Sequence, residues 1–191
     1  MDPYKGFAER YDLSFGLFGG QDPQVVEFFR QLFTQNNVRR VLDCACGTGR
    51  YLPLFHSLGC EVFGSDVSES MLVKARTNLA EVGLEVPLFQ VDFRDLPAQF
   101  AQSFDAVVCM AAIGFMNFET DILRAFGSMS QVLRSEGILI LTAIPTDRQW
   151  KEKPRFLLTT NTPAFSRIFA MDYLDNTVRY NILDIFHTDE K

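Results

Sequence analysis

The stretch Val41-Leu42-Asp43-Cys44-Ala45-Cys46-Gly47-Thr48-Gly49-Arg50 decides how the rest of the chain is read. An apolar pair leads into an acid and then into a turn of small residues, Ala45, Gly47 and Gly49. An apolar-periodic segment follows with Leu52, Phe55 and Leu58. The order is strand, tight turn, helix. Glycine lets the main chain pass close to a ligand, and the helix N-terminus offers unpaired N–H donors, so the turn has the form of a nucleotide site.

Spacing separates the kinds of nucleotide. A dinucleotide fingerprint places glycines at i, i+2 and i+5. Counting from Gly47 gives Gly49 and then Leu52, and counting from Ala45 gives Gly47 and then Arg50, so the third glycine is absent. The Lys-Ser/Thr ending of a P-loop is absent too. Leu-Asp-x-Ala-Cys-Gly-Thr-Gly-Arg instead resembles the first motif of the class I S-adenosylmethionine-dependent methyltransferases, with Ala45 where that family often has its first glycine. The resemblance implies a Rossmann-like domain and S-adenosylmethionine as cofactor, held against Asp43, Ala45, Cys46, Gly47 and Arg50.

Downstream, Glu61 to Ser65 reads as the second strand, ending at Asp66. A doubly wound fold places there the carboxylate that accepts both ribose hydroxyls, two acceptor oxygens meeting two vicinal donors. Ser68 remains to cap the helix that follows, which shows Met71, Leu72, Ala75, Leu79 and Val82 at helical spacing and stops at Gly83. Val67 and Met71 lie close enough in sequence to Asp66 to meet the adenine. Strand three is Val86 to Val91, followed by Asp92 and Phe93, where the resemblance implies an acceptor for the adenine amino group and a neighbouring main-chain N–H. Strand four, Phe104 to Met110, is apolar throughout, as in a strand covered on both faces. In a 3-2-1-4-5 order its tip lies beside that of strand one, bringing the main chain near Cys109 toward the cofactor. Phe115, Met116 and Phe118 read first as core packing, with a wall of the substrate pocket as the alternative. A helix from Glu119 to Ser135 and a fifth strand from Ile138 to Ile144 complete the half-sheet.

The flanks divide the chain into residues 1–36 as an N-terminal helical cover, 37–145 as the cofactor-binding core and 146–191 as a substrate-covering loop and β-hairpin. Tyr4, Phe7, Ala8, Tyr11 and Asp12 resemble the N-terminal cover of small-molecule members of the family, which implies Tyr11 over the cofactor. Asp22 and Pro23 give a capped start to a helix with Val25, Val26, Phe29, Leu32 and Phe33 on one face. Pro145 to Thr162 reads as a polar, proline-punctuated loop, and Ser166 to Tyr173 with Thr177 to His187 as an antiparallel hairpin about Asp175-Asn176. The final strands of the family sheet are not spelled out, so an open sheet edge, or the hairpin, invites a second copy of the chain.

The 191 residues suit one domain with a small addition. A formal net charge of −6 disfavours nucleic acid, and no apolar run approaches a membrane span or a targeting leader, so a cytoplasmic protein acting on a small molecule is expected. Cys44, Cys46, Cys60 and Cys109 lack CxxC spacing and read as buried hydrophobes, and no metal-ligand cluster is present. A sulfonium carries an already activated methyl group, so alignment and a dry pocket are the main demands. An oxygen acceptor needs a base, and Tyr11 and His187 are the candidates; a nitrogen acceptor needs only to be neutral and is favoured. The alternatives are a nicotinamide-dependent oxidoreductase and a cofactor-binding module without catalysis.

Overall fold

A computed structural model describes residues 2, 4–14, 18–101, 103–116, 118–142, 147–175 and 177–187. Ile144, Pro145 and Asn176, at the expected ends of the fifth strand and of the loop and in the expected turn, lie outside the described residues. Two compact units form, Met1–Asp12 with Leu17–Ala143, and Leu13–Gly16 with Ile144–Lys191.

In the first unit β1 (Arg40–Asp43), β2 (Glu61–Asp66), β3 (Leu88–Gln90), β4 (Phe104–Cys109) and β5 (Leu133–Leu141) form a parallel sheet in the order β3-β2-β1-β4-β5. This is the expected doubly wound order. Central β1 sets Val41 against Val62 on one side and Ala106 on the other. Successive residues of a strand face opposite ways, and the core follows that alternation. Val41 and Val108 pack with Phe29, Phe33, Phe55 and Leu72, while Leu42 and Val107 pack with Leu96, Phe104, Met129 and Val132. Burial on both faces is why these strands read as unbroken apolar runs.

The helices of this unit are α1 (Ala8–Tyr11), α2 (Pro23–Gln35), α3 (Leu52–Ser57), α4 (Glu69–Glu81) and α5 (Glu119–Val132). As expected, α2 starts at Asp22, whose carboxylate accepts the Gln24 N–H at 2.7 Å, and Ser68 caps α4 by accepting the Met71 N–H at 3.2 Å. The junction between α5 and β5 departs from expectation. The helix stops at Val132 and the strand begins at Leu133, with Glu136 at a φ of 60° and a register shift opposite Phe104 and Ala106. Arg134 pairs with Asp105 of β4, which holds this segment in the sheet. All four cysteines are free and buried, as expected for small hydrophobes.

In the second unit α6 (Asp147–Glu152) precedes β6 (Phe156–Asn161), β7 (Phe165–Leu174) and β8 (Thr177–Phe186), an antiparallel sheet in the order β6-β7-β8. The expected hairpin is β7 with β8, paired from Phe165–Phe186 to Leu174–Thr177. The loop expected through Thr162 is corrected: Phe156–Asn161 is a third strand, paired with β7. Arg167 is buried in this unit. It donates to the Asp184 carboxylate at 2.7 and 2.9 Å and to Ser14 Oγ at 2.9 Å.

Candidate functional site

The C-terminal tips of β1, β2 and β4 surround a cavity of about 350 Å³, built wholly from the first unit. Its floor is the turn after β1, through Cys44, Ala45 and Gly47. Asp66 and Val67 come from the tip of β2, Met71 from α4 and Phe93 from the segment after β3. Met110, Ala111 and Ala112 follow β4, then Phe115 and Met116, while Tyr4 and Tyr11 come from the N-terminal segment.

The turn takes its shape from β2. Gly47 N–H donates to Asp66 Oδ2 at 2.9 Å, Ser68 N–H donates to Asp66 Oδ1 at 2.9 Å, and Cys46 N–H reaches the Ser65 carbonyl at 2.9 Å. Gly47 has a φ of 53°, a left-handed conformation that favours glycine, and a Cβ placed there would meet nothing within 4 Å. The main chain is thus bare where it borders the cavity. Gly64 does a different job: a Cβ there would come 2.6 Å from Leu88 Cδ2 and 3.1 Å from Cys46 Sγ, so its lack of a side chain lets the turn and β3 close on β2.

Burial raises the pKa of the acids at the tips of β1 and β2. Burial pushes the Asp43 carboxyl up to about 7, against the Ala45 N–H that pulls it down and with the Asp66 charge adding to the rise. Asp43 Oδ2 is buried with no hydrogen-bond partner among the described residues. Burial also raises Asp66, opposed by the N–H groups of Ser68 and Gly47. Tyr11 is pushed up to about 12, by burial first and then by Tyr4, Asp12 and Asp66, while Arg50 opposes the rise. Its hydroxyl stays protonated at neutral pH, which suits donating a hydrogen bond and not taking up a proton.

Of the residues singled out in the sequence, Tyr11, Ala45, Gly47, Asp66, Val67, Met71 and Phe93 meet in this cavity, as do Phe115 and Met116. Others do not line it. Asp43 and Cys46 are buried beneath the turn, Cys46 in the aliphatic and aromatic core. Cys109 is sealed in the core and its carbonyl accepts the Thr142 N–H at 3.2 Å. Asp92 accepts bonds from two nitrogens of the Arg94 guanidinium, the shortest at 2.6 Å, and from the Arg94 N–H; burial works to raise this carboxyl, but those bonds outweigh it and hold it below the usual range. Arg50 directs a nitrogen to the Gly20 carbonyl at 3.3 Å. His187 belongs to the second unit, where its Nε2 lies 2.8 Å from Ser166 Oγ.

The sequence reading missed Tyr4, Ala111 and Ala112 as walls, and also the fastening of the N-terminal segment. Asp2 accepts Ser68 Oγ–H at 2.7 Å and Ser70 N–H at 2.8 Å. Asp12 accepts Thr48 Oγ1–H at 2.6 Å and Asn78 Nδ2–H at 2.7 Å. The one available signal was Asp12 itself, a second acid beside Tyr11.

Among curated relatives, a glycine/sarcosine N-methyltransferase of Aphanothece halophytica is 31% identical over 143 residues, 72% of this chain and 52% of its own. A demethylmenaquinone methyltransferase of Thermus thermophilus is 34% identical over 145 residues, 74% of this chain and 64% of its own. The chain therefore spans less than two thirds of the length of either. A crystal structure described as an S-adenosylmethionine-dependent methyltransferase from Clostridium acetobutylicum superposes with a TM-score of 0.73 at 21% identity, covering 96% of this chain and 80% of that one. An amino pentose methyltransferase from Micromonospora echinaspora, described as bound to S-adenosylmethionine, gives 0.67 at 19% identity, with coverages of 95% and 83%. Residues 41–137, just over half of the chain and running from β1 to the middle of β5, match the model of the methyltransferase domain, and the chain belongs to that family.

Proposed function

We propose that the cavity holds S-adenosylmethionine and that the chain transfers a methyl group to a small molecule, with nitrogen ahead of oxygen as the acceptor atom. The observation that carries this reading is the Asp66 carboxylate at the cavity wall, bonded to the bare Gly47 main chain at 2.9 Å. The residues present fit the group. Each Asp66 oxygen accepts one main-chain N–H and retains a lone pair for a ribose hydroxyl. Val67, Met71 and Phe93 supply apolar surface for an adenine.

When bound, S-adenosylmethionine supplies a methyl group activated on a sulfonium. The chain's own part is to bind, align and exclude water. Tyr4 and Tyr11 cover the cavity from the N-terminal side, and Phe115 and Met116 keep the acceptor side apolar. A hydroxyl acceptor needs a base, and none stands free among the described lining residues: Tyr11 is held protonated, and the lone pairs that Asp66 keeps beside its two main-chain donors go to the ribose. A neutral amine needs no such group, and the glycine/sarcosine relative is named as an N-methyltransferase.

Titration calorimetry with S-adenosylhomocysteine and with NAD⁺ tests the cofactor. Binding of the first alone is expected, and binding of NAD⁺ alone overturns the reading in favour of an oxidoreductase. Labelled methyl transfer across paired amines and alcohols tests the chemistry, and no transfer to any acceptor would leave a binding module. No helix among the described residues is long and apolar enough to cross a membrane, and we expect the protein in the cytoplasm. Among the described residues β5 pairs only with β4, so its far edge is where a second copy is expected, detectable as a concentration-dependent sedimentation coefficient.

A further inference from the structure

We propose that Asp12 is a positioning residue: it buckles the N-terminal segment to the Gly47–Gly49 turn, so that Tyr11 closes over the cavity when the turn is in its ligand-holding shape. The proposal rests on the cofactor reading above and adds a residue that the reading does not need.

Three segments meet at this carboxylate. Thr48, within the turn, donates its hydroxyl to Asp12 Oδ1 at 2.6 Å, across 36 positions of sequence. Asn78, on α4, donates one amide hydrogen to Asp12 Oδ2 at 2.7 Å, across 66 positions, and the other to the Thr48 carbonyl at 3.1 Å. Thr48 and Asn78 are 1% and 2% exposed. A buried amide is costly unless its hydrogens are used, and both hydrogens of Asn78 are spent on this junction. Between Gly47 and Gly49, Thr48 provides the only side chain by which another segment can grip the turn.

The two ends of the N-terminal segment are fastened differently. Asp2 is bonded to Ser68 and Ser70, at the start of α4. That anchor depends on the helix and not on the turn. Asp12 is bonded to the turn itself, and Tyr11, the next residue along the chain, lines the cavity. Neighbouring Cα atoms are ~3.8 Å apart, so fixing Asp12 holds the main chain of Tyr11 within one peptide unit of the junction. Tyr11 also packs edge-on against Phe7, with ring centroids 5.8 Å apart, which carries the position of Asp12 back along the segment. The turn is set from its other side by the bond from Gly47 to Asp66. A ligand held by Gly47 and Asp66 therefore steadies the partner of Asp12, and closure at Tyr11 follows.

The test uses S-adenosylhomocysteine as probe. Backbone hydrogen exchange over residues 7–12 is measured with and without it, in the unaltered chain and in D12N, T48V and T48S. The expected result is slowing by the probe in the unaltered chain and in T48S, which keeps the hydroxyl, and loss of that slowing in D12N and T48V. Affinities measured for D12N, Y11F and the double variant should be non-additive: D12N costs about tenfold alone and little in the Y11F background. A merely structural junction would lower the melting temperature yet leave T48V and T48S alike in exchange and the two losses additive, and either outcome overturns the proposal. If D12N does not fold, the contrast between T48V and T48S decides it alone. Failure of the unaltered chain to bind the probe removes the cofactor reading and this proposal together, whereas binding with unaltered exchange removes only the role of Asp12.

Discussion

Asp66 gives one oxygen to the Gly47 N–H and the other to the Ser68 N–H, and so holds the turn and faces the cavity with one group. Asp66→Ala is expected to weaken S-adenosylhomocysteine binding by about 1–3 kcal/mol, the scale of a hydrogen bond to a charged group. Calorimetry that finds the affinity unchanged would end the ribose assignment. Asp43 lends itself to a different measurement. Its folded carboxyl titrates at about 7, above the unfolded value, so the neutral acid is the form the fold favours. Its contribution to stability is complete below about pH 4 and lost as pH rises through about 7, at ~1.4 kcal/mol for each tenfold difference in acidity between the folded and unfolded carboxyl. The difference in unfolding free energy between Asp43→Asn and the unaltered chain should therefore grow in favour of the variant from pH 4 to 7 and then level; a pH-independent difference would refute the assignment. At this scale Gly47, Asp66 and Met71 were legible because strand-turn-helix spacing places them locally. Asp12, Thr48 and Asn78 were not, since their junction joins positions far apart in the chain. Asp43 and Cys46, read toward the ligand, turn their side chains under the turn, away from the cavity, and the Cys109 carbonyl, expected near the ligand, accepts the Thr142 N–H that follows β5 instead.

Among the elements, the join of β1, β4 and β5 rests on Asp105. Its carboxylate accepts the N–H groups of Arg39 and Arg40, both at 2.8 Å, and pairs with Arg134. Burial works to raise this carboxyl, but Arg134 and the two N–H groups outweigh it and hold it below the usual range. Asp105→Ala leaves two main-chain donors and an arginine without their acceptor, and should cost on the order of 1–3 kcal/mol in urea unfolding. A loss under a few tenths would mean that water replaces the carboxylate. The same residue explains the misplaced end of α5. Leu133 to Gly137 carries good helix formers, Arg134 and Glu136, and propensity alone extends the helix through them; the ion pair to β4 and the positive φ at Glu136 prevail instead. The five strands and their order were legible from apolar runs and intervening helical periods. β6 was hidden because Phe156, Leu157 and Leu158 show no alternation and sit next to Pro154, and only pairing with β7 defines the strand.

For the molecule as a whole, the two units rest on different physics. The first has a large apolar interior. The second is a three-stranded sheet with an ion pair at its centre, Arg167 and Asp184 being 2% and 3% exposed. Asp184→Ala removes the carboxylate that takes two bonds from the buried Arg167 guanidinium, and should destabilise the second unit by about 3–5 kcal/mol, read as an earlier, separate unfolding step by proteolysis or hydrogen exchange. Simultaneous replacement of both by apolar residues of similar volume should recover most of that loss. A single unchanged transition in Asp184→Ala would show that the pair contributes little.

The sealed cysteines have a practical corollary. All four sulfurs lie within the first unit and none is exposed, so a maleimide in native buffer can react only during an opening of the interior. The pace of alkylation is then a stopwatch for breathing of the β1–β4 tips around Cys44 and Cys109, against that of the core at the start of β2 around Cys60, with no engineered dye or tag.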